Sequence, residues 1–181
     1  MKGINSQLLD SFLQSYFYLG SKYPVESTGR IQYKYRNWNI LNLNILQIDL
    51  KKSLNYIYQT HKNKKRLLFI LDSDLYSYFS PIFHQTNHLY TSDIKKAIEL
   101  INTNIAGNNY SKLIDGIIII GIRDLGSTKI LSNLKYPLIT LTANPKMLGD
   151  YFLCGINDYH SSMIMLKILL KQIFQKKKFF K

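Results

Sequence analysis

Leu113-Ile114-Asp115-Gly116-Ile117-Ile118-Ile119-Ile120-Gly121-Ile122-Arg123 holds four consecutive isoleucines between two glycines. An apolar run of that length, without alternation, suits a strand covered on both faces, as in a parallel sheet. Isoleucine is β-branched and fits a pleated surface better than a helix. Downstream, Ser127 to Leu134 carries a short helical pattern and Pro137 to Thr142 a second strand, P-L-I-T-L-T. Strand, helix and strand in that order make a βαβ unit with a right-handed crossover. The unit is expected at the middle of the sheet.

Working outward, Leu67 to Leu71 (L-L-F-I-L) reads as another buried strand. Leu43 to Ile48 reads as a strand before it. Asp49 then caps a helix whose Leu50, Leu54, Ile57 and Tyr58 share one face. That helix ends in His61, Lys62, Lys64, Lys65 and Arg66, and cations at a helix C-terminus are favourable in themselves. Asp74 to Phe83 is expected as a short helix closed at Pro81, and His84 to Tyr90 as irregular. Thr91 or Ser92 caps a helix with Ile94, Ala97, Ile98 and Ile101 inward, followed by a loop from Asn102 to Asn109. Tyr151 to Leu153 reads as a short edge strand, and Asp158 opens a last, largely apolar helix. At the other end, Ser6 caps a helix carrying Leu8, Leu9, Phe12, Leu13, Tyr16 and Phe17, closed by Gly20. The expected fold class is α/β, a Rossmann-like parallel sheet of about five strands flanked by helices, in one domain over residues 1–181.

The chain carries 24 basic and 11 acidic residues, a formal net charge of +13. Such an excess points to a polyanion, nucleic acid or an acidic membrane surface. Of the bases only four are Arg, Ala occurs three times, and Asn, Ile, Tyr, Phe and Lys abound. These are residues of A/T-rich codons, as in an organelle genome, so a single Lys carries little weight. Cys154 stands alone, which excludes a disulfide framework and a thiol metal site. The N-terminus has neither a signal-peptide layout nor the acid-free character of a transit peptide, since Asp10 sits in it. No apolar run approaches the roughly 20 residues that span a bilayer. The expectation is a protein made where it works.

Residues 21–42 form a basic and aromatic stretch expected as a loop, with Lys22, Arg30, Lys34, Tyr35, Arg36 and Trp38. Cations among flat rings suit phosphate contacts and stacking on exposed bases. They equally suit a loop whose rings pack on the domain. A second candidate set is Lys64, Lys65 and Arg66, and a third the tail over 175–181 with Lys176, Lys177 and Lys178. Gly121 to Thr128, G-I-R-D-L-G-S-T, matches the phosphate loop G-x-x-x-x-G-K-[ST] except that Ser127 replaces the lysine. A plain strand-to-helix turn capped by Ser127 accounts for it too. His61, His84, His88 and His160 are scattered. His84 and His88 stand four apart, but Pro81 and the irregular surroundings speak against one helix face, and no metal site is expected. Neither a nucleophile elbow nor an acid–base carboxylate pair is present.

The order of these motifs resembles the family of small ribosomal subunit protein two (the S-two family, bacterial and organellar type). Asn44 to Ser53, N-I-L-Q-I-D-L-K-K-S, is similar to that family's N-x-I-x-I-I-D-L-x-K-T, where a strand runs into the first crossover helix. Tyr151 to Asp158, Y-F-L-C-G-I-N-D, resembles its Y-P-I-P-G-N-D-D turn. Between them Asp115, Pro137, Ile139, Asn144 and Pro145 fall at comparable places. Leu8-Leu9 followed by Y-L-G-S-K at Tyr18 to Lys22 resembles L-L … H-x-G-H-K, with Tyr18 and Ser21 in place of the histidines. Both prolines of the Y-P-I-P turn are replaced, by Phe152 and Cys154. Only about 40 residues separate the Leu67 and Leu113 strands, too few for the family's helical hairpin insertion.

The resemblance implies a non-catalytic constituent of the small subunit of an organellar ribosome, with no cofactor. Its partners would be small-subunit ribosomal RNA and neighbouring ribosomal proteins, with no membrane and no small-molecule substrate. The codon bias suggests a mitochondrion, and the same pattern fits a plastid. The alternative is a small nucleotide-binding α/β enzyme using Gly121 to Thr128.

Overall fold

The computed structural model describes residues 13–15, 18–19, 31–36, 38–106, 114–122, 131, 133, 136–141, 150–153 and 160–175. An antiparallel ribbon, β1 (Ile31–Tyr35) and β2 (Trp38–Leu41), leads into helix α1 (Leu43–Lys62). There follow β3 (Leu67–Leu71), α2 (Ser73–Phe83), β4 (Leu89–Thr91), α3 (Ile94–Ala106), β5 (Gly116–Ile120), β6 (Leu138–Leu141), β7 (Tyr151–Leu153) and α4 (His160–Phe174).

The class is α/β with a parallel sheet between helices. Strands β4, β3, β5 and β6 stand side by side as its body, and β7 pairs along the free edge of β6 for three residues. Every residue of β3, β5 and β6 is buried. That is what near-continuous Leu and Ile runs require when helices cover both faces. The chain moves from β3 to β4 and then back past β3 to β5, so two right-handed crossovers put α2 and α3 on opposite faces. α4 packs on both α1 and α2, and α3 packs on β3 and β4. The direction of winding reverses between β3 and β5, the usual ligand crevice of such sheets at their C-terminal ends.

Several local expectations are corrected. Leu43 to Ile48 is the beginning of α1, not a strand, and Asn42 rather than Asp49 caps it, its Oδ1 accepting from the Asn44 and Ile45 amides at 3.1 and 3.4 Å. Leu46, Leu50, Leu54 and Ile57 are buried at helical spacing, whereas Ile48, inward in a strand reading, is 49% exposed. The first βαβ unit is therefore β3-α2-β4. The 21–42 loop contains the β1–β2 ribbon instead, closed between Tyr35 and Trp38, which face each other in register.

Pro81 lies inside α2, which continues to Phe83. The Ser77 carbonyl, which Pro81 cannot serve, accepts from the Ser80 hydroxyl at 3.4 Å. Leu89 to Thr91 is a strand, not irregular chain, and α3 runs to Ala106. Asp93 caps α3, its Oδ1 accepting from the Lys95 amide at 2.8 Å. Leu19 bridges Ile40 and is not helical, so the expected helix does not run on through it, and Gly20 lies outside the described residues. α4 begins at His160, and Asp158 lies outside the described residues. So do Ser127 and its neighbours, except that Leu131 is helical and buried.

Candidate nucleic-acid interface

α1 ends in a Schellman turn. The Lys65 amide donates to the Thr60 carbonyl at 3.0 Å and the Lys64 amide to the His61 carbonyl at 3.1 Å. Lys64 thereby occupies the left-handed position after the cap, at φ 58°, where glycine or asparagine is the usual occupant. Lys62, Lys64, Lys65 and Arg66 are all exposed. The turn is clamped at its far side by Asp115. Its Oδ2 accepts from the Arg66 amide at 3.0 Å, and its own amide donates to the Arg66 carbonyl at 2.7 Å. Four cations thus sit on a fixed backbone at the end of the sheet where β3 and β5 begin.

Beneath them lies a pair of histidines. The Leu67 amide donates to His88 Nδ1 at 3.2 Å, so the His88 proton must sit on Nε2, which faces His61 Nδ1 at 3.1 Å. Both rings pack edge-on or tilted against Phe174, each at 5.2 Å between centroids. Burial, and then the neighbouring His61, push the His88 pKa down to about 4. His88 is therefore a neutral acceptor that holds the start of β3, 21 residues away in sequence. Reading the sequence missed it, because only the β3–β4 pairing brings it there.

The opposite end of the sheet is mixed in charge, with exposed Lys95 and Lys96 in the first turn of α3 beside its carboxylates. Asp72 and Asp74 follow β3, and Asp93 follows β4. Asp72 Oδ1 accepts from the Asp74 amide at 3.2 Å, taking one of the free donors of α2. Gly121, at φ 78°, opens the loop that resembles a phosphate loop. A Cβ there would meet Leu75 Cδ1 at 2.5 Å and Asp72 Cβ at 3.3 Å. Leu75 and Asp72 thus lie against the start of that loop.

Of the remaining candidates, the described ones lie on another element. Lys34, Tyr35 and Arg36 are exposed on the β1–β2 ribbon, which feeds the N-terminal end of α1. α1 is 20 residues long, about 30 Å from end to end. The Arg36 guanidinium lies 5.5 Å from the Tyr35 ring centroid, over its face. Trp38 is a strand residue. Lys22, Arg30, Lys176, Lys177 and Lys178 lie outside the described residues, as do Cys154 and the loop from Arg123 to Thr128. His84 and His88 point to different partners, His84 to the Tyr90 hydroxyl and His88 to His61. Among the described residues no three His, Cys, Asp or Glu side chains gather to hold a metal. Nor is any described helix long and apolar enough to cross a membrane.

No protein-family model matches the chain, and no curated protein matches it.

Proposed function

We propose that this chain is a structural constituent of the small subunit of a mitochondrial ribosome, binding rRNA by charge and shape and touching neighbouring proteins. One observation carries the RNA part of this reading. Lys62, Lys64, Lys65 and Arg66 are held exposed on a clamped turn at the end of the sheet where β3 and β5 begin. Fixed exposed cations suit phosphate oxygens, which position a protein on RNA without reading sequence. The ribosomal part rests on the resemblance of Tyr151 to Asp158 and of the Asp115 to Pro145 region to the S-two family. The helical state of Asn44 to Ser53 weakens the resemblance at that element, because the family's motif starts there as a strand.

The test is a density gradient of organelle lysate, with this chain followed by mass spectrometry. Co-sedimentation with the small subunit that survives moderate salt supports the reading. Sedimentation as a free protein of 21.2 kDa sinks it. In that case calorimetric titration with Mg-ATP and Mg-GTP, repeated on Gly126→Val, examines the nucleotide alternative.

A further inference from the structure

Among the described residues, two non-glycine residues have positive φ, Arg36 at 53° and Lys64 at 58°. Both are exposed cations at turns. Composition does not explain the choice. Asparagine, as A/T-coded as lysine and 15 strong in this chain, tolerates the left-handed region far better. Lys64 moreover stands where the Schellman geometry favours glycine, so the backbone is strained where a charge is displayed. The turn is also tied down, by two helix-end hydrogen bonds and the two-way Asp115–Arg66 clamp.

We propose that the Asn63–Arg66 turn is a preformed contact site for the phosphate backbone of structured RNA, with Lys64 its central cation. The proposal rests on the RNA-binding reading above and adds to it a place and a residue. A side chain that leaves a rigid left-handed turn loses little further backbone freedom when it meets a phosphate. A lysine on an unconstrained backbone would lose more. Lys64 is thus kept for binding against the conformational preference of its own position.

The experiment uses the full chain and a fluorescently labelled stem-loop RNA, with anisotropy titrations over a series of salt concentrations. Thermal unfolding is followed in parallel for the wild type, Lys64→Gly and Lys51→Gln. Lys51 is exposed on the body of α1, so its replacement removes the same charge away from the turn. Lys64→Gly is expected to raise Tm by about 2–4 °C. It should also weaken RNA binding several-fold and flatten the log–log salt dependence by about 0.7–0.9. Lys51→Gln should leave that slope unchanged.

Wild-type affinity and slope in Lys64→Gly, with the wild type binding RNA, overturn the site while leaving the RNA reading intact. An equal loss in Lys51→Gln overturns it as well, since charge alone would then explain the effect. A lowered Tm in Lys64→Gly makes the lysine structural and overturns the proposal. No binding by the wild type removes both the site and the reading beneath it.

Discussion

His88 shows how one side chain can tie stability to pH. It is 5% exposed, and its pKa stands at about 4 in the folded chain against 6.5 for an unperturbed histidine. The unfolded chain therefore binds the proton first as pH falls. The stability that the neutral ring contributes is complete above pH 6.5 and is lost on the way down to about pH 4, a loss of about 3 kcal/mol. Urea unfolding at several pH values should show this slope, and His88→Gln should flatten it. A slope unchanged in that variant would assign the acid sensitivity elsewhere. Gly121 makes a second prediction at this scale. Its φ of 78° and the nearness of Leu75 leave alanine no relaxed position. The backbone alone should cost about 1–2 kcal/mol in Gly121→Ala, lowering Tm by roughly 3–8 °C. The glycine was readable as a turn signal, but its contact with Leu75 was not.

Helix α1 decides how the elements fit together. Asn42 caps it, and Asn42→Ala should cost about 1 kcal/mol, a fall of about 2–4 °C in Tm by calorimetry. An unchanged Tm would mean that packing on α4 and β7 fixes the helix start without the cap. Its first turn was misread because Leu43, Ile45, Leu46 and Ile48 do not distinguish strand from helix over six residues. The buried positions Leu46, Leu50, Leu54 and Ile57 decide it only when the whole 20-residue span is taken together. Strand β6 offers a contrasting test. The Thr140 hydroxyl is buried with no hydrogen-bond partner, so Thr140→Val removes an unmet polar group while keeping the shape. That variant should be neutral or stabilising by up to about 1 kcal/mol. A clear loss of stability in chemical denaturation would show that the hydroxyl has a partner in solution.

For the molecule as a whole, the formal charge of +13 suits a polyanionic partner, and the fold displays part of that charge on one turn. Cations gather where β3 and β5 begin, and carboxylates cap the helices where β3 and β4 end. Replacing Lys64, Lys65 and Arg66 together with glutamine should flatten the salt dependence of RNA binding by about 2 units, if all three reach phosphates. Circular dichroism should remain that of the wild type, because none of the three side chains is buried. A slope equal to the wild type's would take the turn out of the interface and leave the ribbon with Lys34 and Arg36, or the tail, to carry it.

The buried parallel strands were legible in the sequence alone, because runs such as Ile117 to Ile120 have no stable place except between two covering layers. The basic balance and the α/β class were legible for similar reasons, since each follows from local pattern or from composition. Tertiary structure decided the rest. The pairing of His61 with His88 and the clamp of Asp115 on Arg66 both depend on strand order. Strand order is set by crossovers that bring together residues 27 and 49 positions apart in those two contacts. No local window contains the free energy of such contacts, so no local pattern announces them.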